Sequence, residues 1–118
     1  MFEPKFIFYK TDHWKNIEKQ SKEAFEYFIK SFKKNIEIFD TPSYFKDIHK
    51  YHQIIYETDL ANNFGLYYKK YKKELSKPMQ DAIVNGNKHS AKEYAKAIDF
   101  MKTSYEFHEE VFKEYHGV

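Results

Sequence analysis

Of the side chains that can ligate a metal or carry a proton, this chain offers histidines and carboxylates but no cysteine. That excludes disulfides, zinc-thiolate sites, iron–sulfur clusters and thiol nucleophiles together. His13, His49, His52, His89 and His108 are the candidates to assemble on facing helices. His49 and His52 lie about one turn apart with Glu57 further along, and His108 falls on an apolar stripe, where a buried imidazole must find a hydrogen-bond partner. A di-iron type of bundle needs Glu-x-x-His pairs and four inward carboxylates, and neither is written here. A structural His108 is therefore expected, with a His-based metal site as the lesser alternative. The serines sit at helix caps or isolated helical positions without a glycine-flanked elbow. Gly65, Gly86 and Gly117, the only glycines, each mark a turn or kink rather than a phosphate loop. The chain reads as a non-enzyme with no catalytic, cofactor-binding or metal-binding residues, so cofactors are expected to be none.

The other chemistry on offer is anion binding. All 20 basic residues are lysine, and without arginine the bidentate phosphate grips, arginine fingers and guanine readers are missing. Between residues 66 and 77 five lysines stand against one glutamate, a local charge of +4, whereas residues 103–116 carry four glutamates and one lysine, or −3. The basic stretch interleaves aromatics: Tyr67, Tyr68, Lys69, Lys70, Tyr71, Lys72 and Lys73, followed by Lys77. Tyr67, Tyr68, Lys69, Lys70, Lys72, Lys73 and Lys77 are the candidate partner-binding residues. Such a surface can hold a nucleic-acid backbone with bases stacked on the rings, or seat against an acidic protein. Its bland counterpart is a solvated helix face whose tyrosines, Tyr71 above all, serve the core.

The elements that must carry these groups are helical. From Ser90 the apolar positions Tyr94, Ile98, Met101, Tyr105, His108, Phe112 and Tyr115 alternate by four and three, and Ala97, Phe100, Phe107 and Val111 add a second row. Ser90 and Glu93 spell a capping box, Gly117 follows the end, and a helix over residues 90–116 is predicted. Trp14, Ile17, Phe25, Phe28, Phe32, Ile36 and Phe39 predict a first helix over 11–39. A second, over 42–75, starts from Thr41 and Pro42, buries Phe45, Ile48, His52, Ile55, Tyr56 and Leu60, and kinks near Asn62–Gly65. Pro78 opens a short helix over 78–84, and Asn85–Asn87 turn into the last one. Residues 1–10, with Phe6, Ile7, Phe8 and Tyr9, read as an extended arm; with no second strand in sight, it either packs across the helices or pairs with another chain. The expected fold is all-α: one domain of 118 residues, an antiparallel bundle of three long helices and one short one.

At the start of the last helix, Asn87, Lys88, His89 and Ser90 resemble the active stretch of HEPN-domain ribonucleases. That motif pairs an arginine with a histidine four to six residues later, so in this arginine-free chain the resemblance implies at most a catalytically dead helical bundle. The functional expectation is a small non-enzymatic interaction protein, of the kind phages and mobile elements use as anti-defence inhibitors of host nucleic-acid-processing complexes. Its alternative is a direct RNA or single-stranded DNA binder. Partners expected are a protein or ribonucleoprotein complex, with nucleic acid and a homodimer also open. The wide apolar helix faces argue for that homodimer. No segment approaches the ~20 apolar residues of a membrane span and no secretion signal is seen, which together with the lack of cysteine predicts a cytoplasmic protein.

Overall fold

The computed structural model describes residues 2–118 and is mostly helical, as expected, with one small sheet. The strands are β1, Phe6–Lys10, and β2, Ile36–Asp40; the helices are α1, Lys19–Ser31, α2, Ile48–Tyr71, α3, Lys77–Gly86, and α4, Ala91–Glu114. The chain divides into two compact units, one made of residues up to Lys46 together with Tyr105–Val118, the other of Asp47–Ser104.

The first unit departs from the bundle expected of it. In place of a helix over 11–39 there is a 3-10 turn at Asp12–Asn16, then α1, then β2, which pairs with β1 in parallel. Of the expected arm, residue 1 lies outside the described residues, and Phe6–Lys10 is a strand with a partner inside the chain. The result is a β-α-β unit. Its ladder is bracketed by Phe6 N–H donating to the Asn35 carbonyl (2.7 Å) and Thr41 N–H to the Lys10 carbonyl (3.1 Å). Thr41 also donates its hydroxyl to Lys10 O, so it closes the sheet instead of capping a helix. On the other edge of β1, His116 N–H donates to Lys5 O (2.7 Å) and Ile7 N–H to Gly117 O (3.0 Å). Lys5 N–H is also accepted by His116 Nδ1 (2.9 Å).

A parallel sheet needs cover on both faces, and this one has it. Phe8 meets Trp14 and Phe25 on the α1 side (5.3 and 5.5 Å between centroids). On the opposite face Tyr9 meets Phe39 and His108 (5.3 and 5.4 Å), and Phe107 meets Phe39 and the buried Phe45. The aromatic stripe assigned to one long helix is thus divided among the 3-10 turn at Asp12–Asn16, α1 and β2.

In the second unit, α2 begins at Ile48 after a 3-10 turn at Ser43–Asp47, runs unbroken through Asn62–Gly65 and ends at Tyr71. Its buried residues are Ile54 and Glu57, whereas His52 and Tyr56, expected inside, are exposed. α3 buries Ala82, Ile83 and Gly86, and α4 contributes Ala97, Phe100 and Ser104. The capping box forms as written: Glu93 N–H donates to Ser90 Oγ (3.1 Å), and Glu93 Oε2 accepts from Ser90 N–H (2.8 Å). These bonds to Ser90 hold the Glu93 carboxyl below its ordinary value. Ser90→Ala is expected to cost about 1 kcal/mol of stability, read by urea titration. An unchanged midpoint would mean that the cap contributes nothing.

Candidate functional site

The seven residues singled out for partner binding lie within residues 67–77, where α2 ends, passes through a 3-10 turn at Lys72–Glu74 and enters α3. Cations suit this place because the last carbonyls of a helix carry the negative end of its dipole. Gln80 Nε2 donates to the carbonyl of Lys72, the cap of α2 (3.0 Å), and to that of Leu75 just beyond the 3-10 turn (2.8 Å). The five lysines are all exposed. Lys77 is paired with Asp81, but among the described residues no carboxylate is paired with Lys69, Lys70, Lys72 or Lys73.

The tyrosines make contacts within the cluster. Lys70 Nζ sits 5.0 Å from the Tyr71 ring centroid, Lys72 Nζ 5.4 Å from that of Tyr68, and the Tyr67 and Tyr71 rings pack at 4.8 Å. Tyr67 donates its hydroxyl to Glu74 (3.2 Å); desolvation, then this bond, raises its pKa above the ordinary tyrosine value. The rings therefore brace the ammonium groups through cation–π contact and offer less open face for base stacking. Sequence reasoning passed over Leu66. It is 83% exposed and stands three and four residues before Lys69 and Lys70, on the same helical face, with Phe64 also exposed nearby. The signal available was its failure to fit any buried stripe.

A second constellation joins α2, α3 and the turn into α4. Glu57, 6% exposed, accepts from Gln53 Nε2 (2.9 Å), Asn85 Nδ2 (3.3 Å) and His89 Nε2 (2.7 Å). Burial pushes its carboxyl up, but the three hydrogen bonds, with the charge of His89, outweigh burial and hold it below the ordinary glutamate value. With the carboxylate ionised, the His89 nitrogen is the donor. Such a pair can orient an imidazole for proton transfer. The neighbouring hydroxyl of Ser90, however, is engaged with Glu93 in the helix cap (2.9 Å). The arrangement acts as a bolt between helices. At the same place a Cβ on Gly86 would fall 1.9 Å from the Glu57 carbonyl oxygen, so α3 touches the α2 backbone. His52, grouped with Glu57 in the sequence, stacks on Tyr56 instead (6.4 Å).

The first unit holds an apolar cavity of about 570 Å³ lined by Pro4, Phe6, Phe28, Phe32, Ile36 and Val118, among others. Its one amide side chain, Asn35, already donates to Pro4 O (3.0 Å), which leaves little to orient a ligand. Among the described residues no group of three or more His, Asp or Glu could hold a metal ion, and no helix is long and apolar enough to cross a membrane. No family model matches the chain, and comparison with curated proteins and with solved structures finds no similar protein.

Proposed function

We propose that this is a non-enzymatic cytoplasmic interaction protein that seats the lysine-rich end of α2 on an acidic surface of a protein partner. A subunit of a nucleic-acid-processing complex offers such a surface, and an inhibitor carried by a mobile element is one form the activity takes. The observation that carries the reading is Leu66, 83% exposed, on one helical face with Lys69 and Lys70, neither paired with a carboxylate among the described residues. An apolar anchor rimmed by cations suits a protein surface better than a phosphate backbone, since protein interfaces combine a dry centre with a charged rim. The bracing of Tyr68 and Tyr71 by lysines points the same way.

The test is capture of partners from host lysate by the wild type, by Leu66→Ala and by a Lys69→Glu, Lys70→Glu, Lys73→Glu variant, alongside titration with mixed-sequence RNA and single-stranded DNA. We expect a salt-sensitive partner that the triple variant loses and that Leu66→Ala weakens about tenfold or more. Identical recovery by all three would remove this face as the contact. RNA binding that falls steeply with salt, with a slope set by several phosphates, would replace the reading with a direct nucleic-acid binder.

A further inference from the structure

The sheet of the first unit is left open on one side. Parallel pairing sends alternate residues of a strand to opposite edges, and the bonds at Asn35 and Thr41 fix which is which. The backbone groups of Glu37 and Phe39 face β1, while the N–H and C=O of Ile36, Ile38 and Asp40 face outward. The corresponding outward groups of β1 are met at Lys5 and Ile7 by His116 and Gly117. Among the described residues nothing pairs with the outer edge of β2. That edge carries no proline, no lysine and no bulge, its charges are those of Glu37 and Asp40, and Ile38 is 49% exposed at its centre.

We propose that the edge is completed by the same edge of a second copy of the chain, paired antiparallel about a two-fold axis at Ile38. The pairing makes no use of the lysine residues of α2. The outward groups are self-complementary in that register. Ile38 exchanges both bonds with Ile38 of the second copy, and Ile36 exchanges both with Asp40, so each of the six outward groups per copy that this edge presents finds a partner across the axis. The side chains agree with the backbone. Ile38 meets Ile38, Ile36 meets Asp40 and Glu37 meets Phe39, and no carboxylate falls directly opposite another.

The helix above the edge fits the same axis. Glu26, Ile29 and Lys30 of α1, with Lys33 of the turn that follows it, line a groove of about 560 Å³ together with Ile36 and Ile38. The axis at Ile38 passes beside this groove. A two-fold axis there places the two copies of α1 antiparallel and about two strand spacings, or about 10 Å, apart, which is a packing distance for helices. Asp40 of the second copy arrives beside Ile36, toward the Lys30 and Lys33 end of the groove.

Sedimentation equilibrium of the full chain tests this. The wild type is expected to be a dimer at tens of micromolar. Ile38→Lys, which places two ammonium groups on the axis while leaving the bonds to β1 untouched, should raise the dissociation constant about 100-fold with an unchanged circular dichroism spectrum. Asp40→Lys and Lys33→Glu, both at exposed positions, should each weaken the dimer about tenfold, and the double swap should restore it, a rescue that loss of folding cannot imitate. A monomeric wild type at about 100 µM overturns the proposal. So does a dimer indifferent to all these changes, or a monomer whose edge is instead filled by an added extended peptide.

Discussion

Replacing Gly86 with alanine should lower stability by about 3 kcal/mol or more, although the same exchange in most helices is favourable. Alanine outranks glycine in a helix interior by about 1 kcal/mol, and Gly86 is the last residue of α3. The Cβ it would gain falls 1.9 Å from the Glu57 carbonyl oxygen, 2.5 Å from that carbonyl carbon and 2.8 Å from Ala61 Cβ. Two of these three atoms are backbone and cannot rotate aside, so α3 must move away from α2 as a whole. Such a movement opens the contact at the buried Ile83 and stretches the bonds to Glu57. Overpacking ordinarily costs about 1–3 kcal/mol, and a clash with backbone belongs at or above the top of that range. Thermal unfolding should show Tm lowered by about 10–20 °C. Gly65 supplies the control. It lies inside α2 with nothing within 4 Å of its absent Cβ, so Gly65→Ala should raise stability by up to about 1 kcal/mol. Opposite signs at two helical glycines are the signature sought; a neutral Gly86→Ala would mean that α2 and α3 are not in backbone contact.

The same contact explains why α2 was harder to read than α4. α4 announces its start with Ser90 and Glu93, a signal resolved within four residues, and the row Ala97, Phe100, Phe107 and Val111 read from its spacing is partly or fully buried. α2 approaches α3 too closely to present large side chains there, and the face that meets α3 includes Glu57 and Ala61, a polar and a small residue with no hydrophobic periodicity to betray them. The more conspicuous His52 and Tyr56 point outward. β2 was hidden differently. Phe25, Phe28, Phe32, Ile36 and Phe39 keep helical spacing across the place where α1 ends at Ser31, and five residues of Ile-Glu-Ile-Phe-Asp fit either period. What decides for strand is the bond from Phe6 to Asn35 and the pairing with β1, thirty residues away, and a local pattern cannot report that. The lysine cluster was legible because charge stays outside whatever the packing, but the bracing of its tyrosines depends on side-chain placement that spacing leaves open.

Removing the Glu57 carboxylate should rank with the Gly86 exchange, because it strands three donors at once. In Glu57→Ala the amides of Gln53 and Asn85 and the ring of His89 lose their common acceptor. Breaking a buried charged pair from one side costs about 3–5 kcal/mol. The His89 side chain retains 21% exposure and can be partly rehydrated, which places the expected loss near 3 kcal/mol. Glu57→Gln keeps the shape and one acceptor oxygen and should lose about 1–2 kcal/mol. The two variants also differ from wild type in acid. Because the folded state holds the Glu57 carboxyl below its ordinary value of 4.5, the pair's contribution is complete above that pH and disappears as pH falls through the lower folded value. Urea midpoints measured from pH 7 down to pH 3 should therefore converge: the gap between wild type and Glu57→Gln is widest near neutrality and shrinks below about pH 4.5. A gap that stays constant across the range would show that the charge of Glu57 contributes nothing and that its bonds are those of a neutral acid.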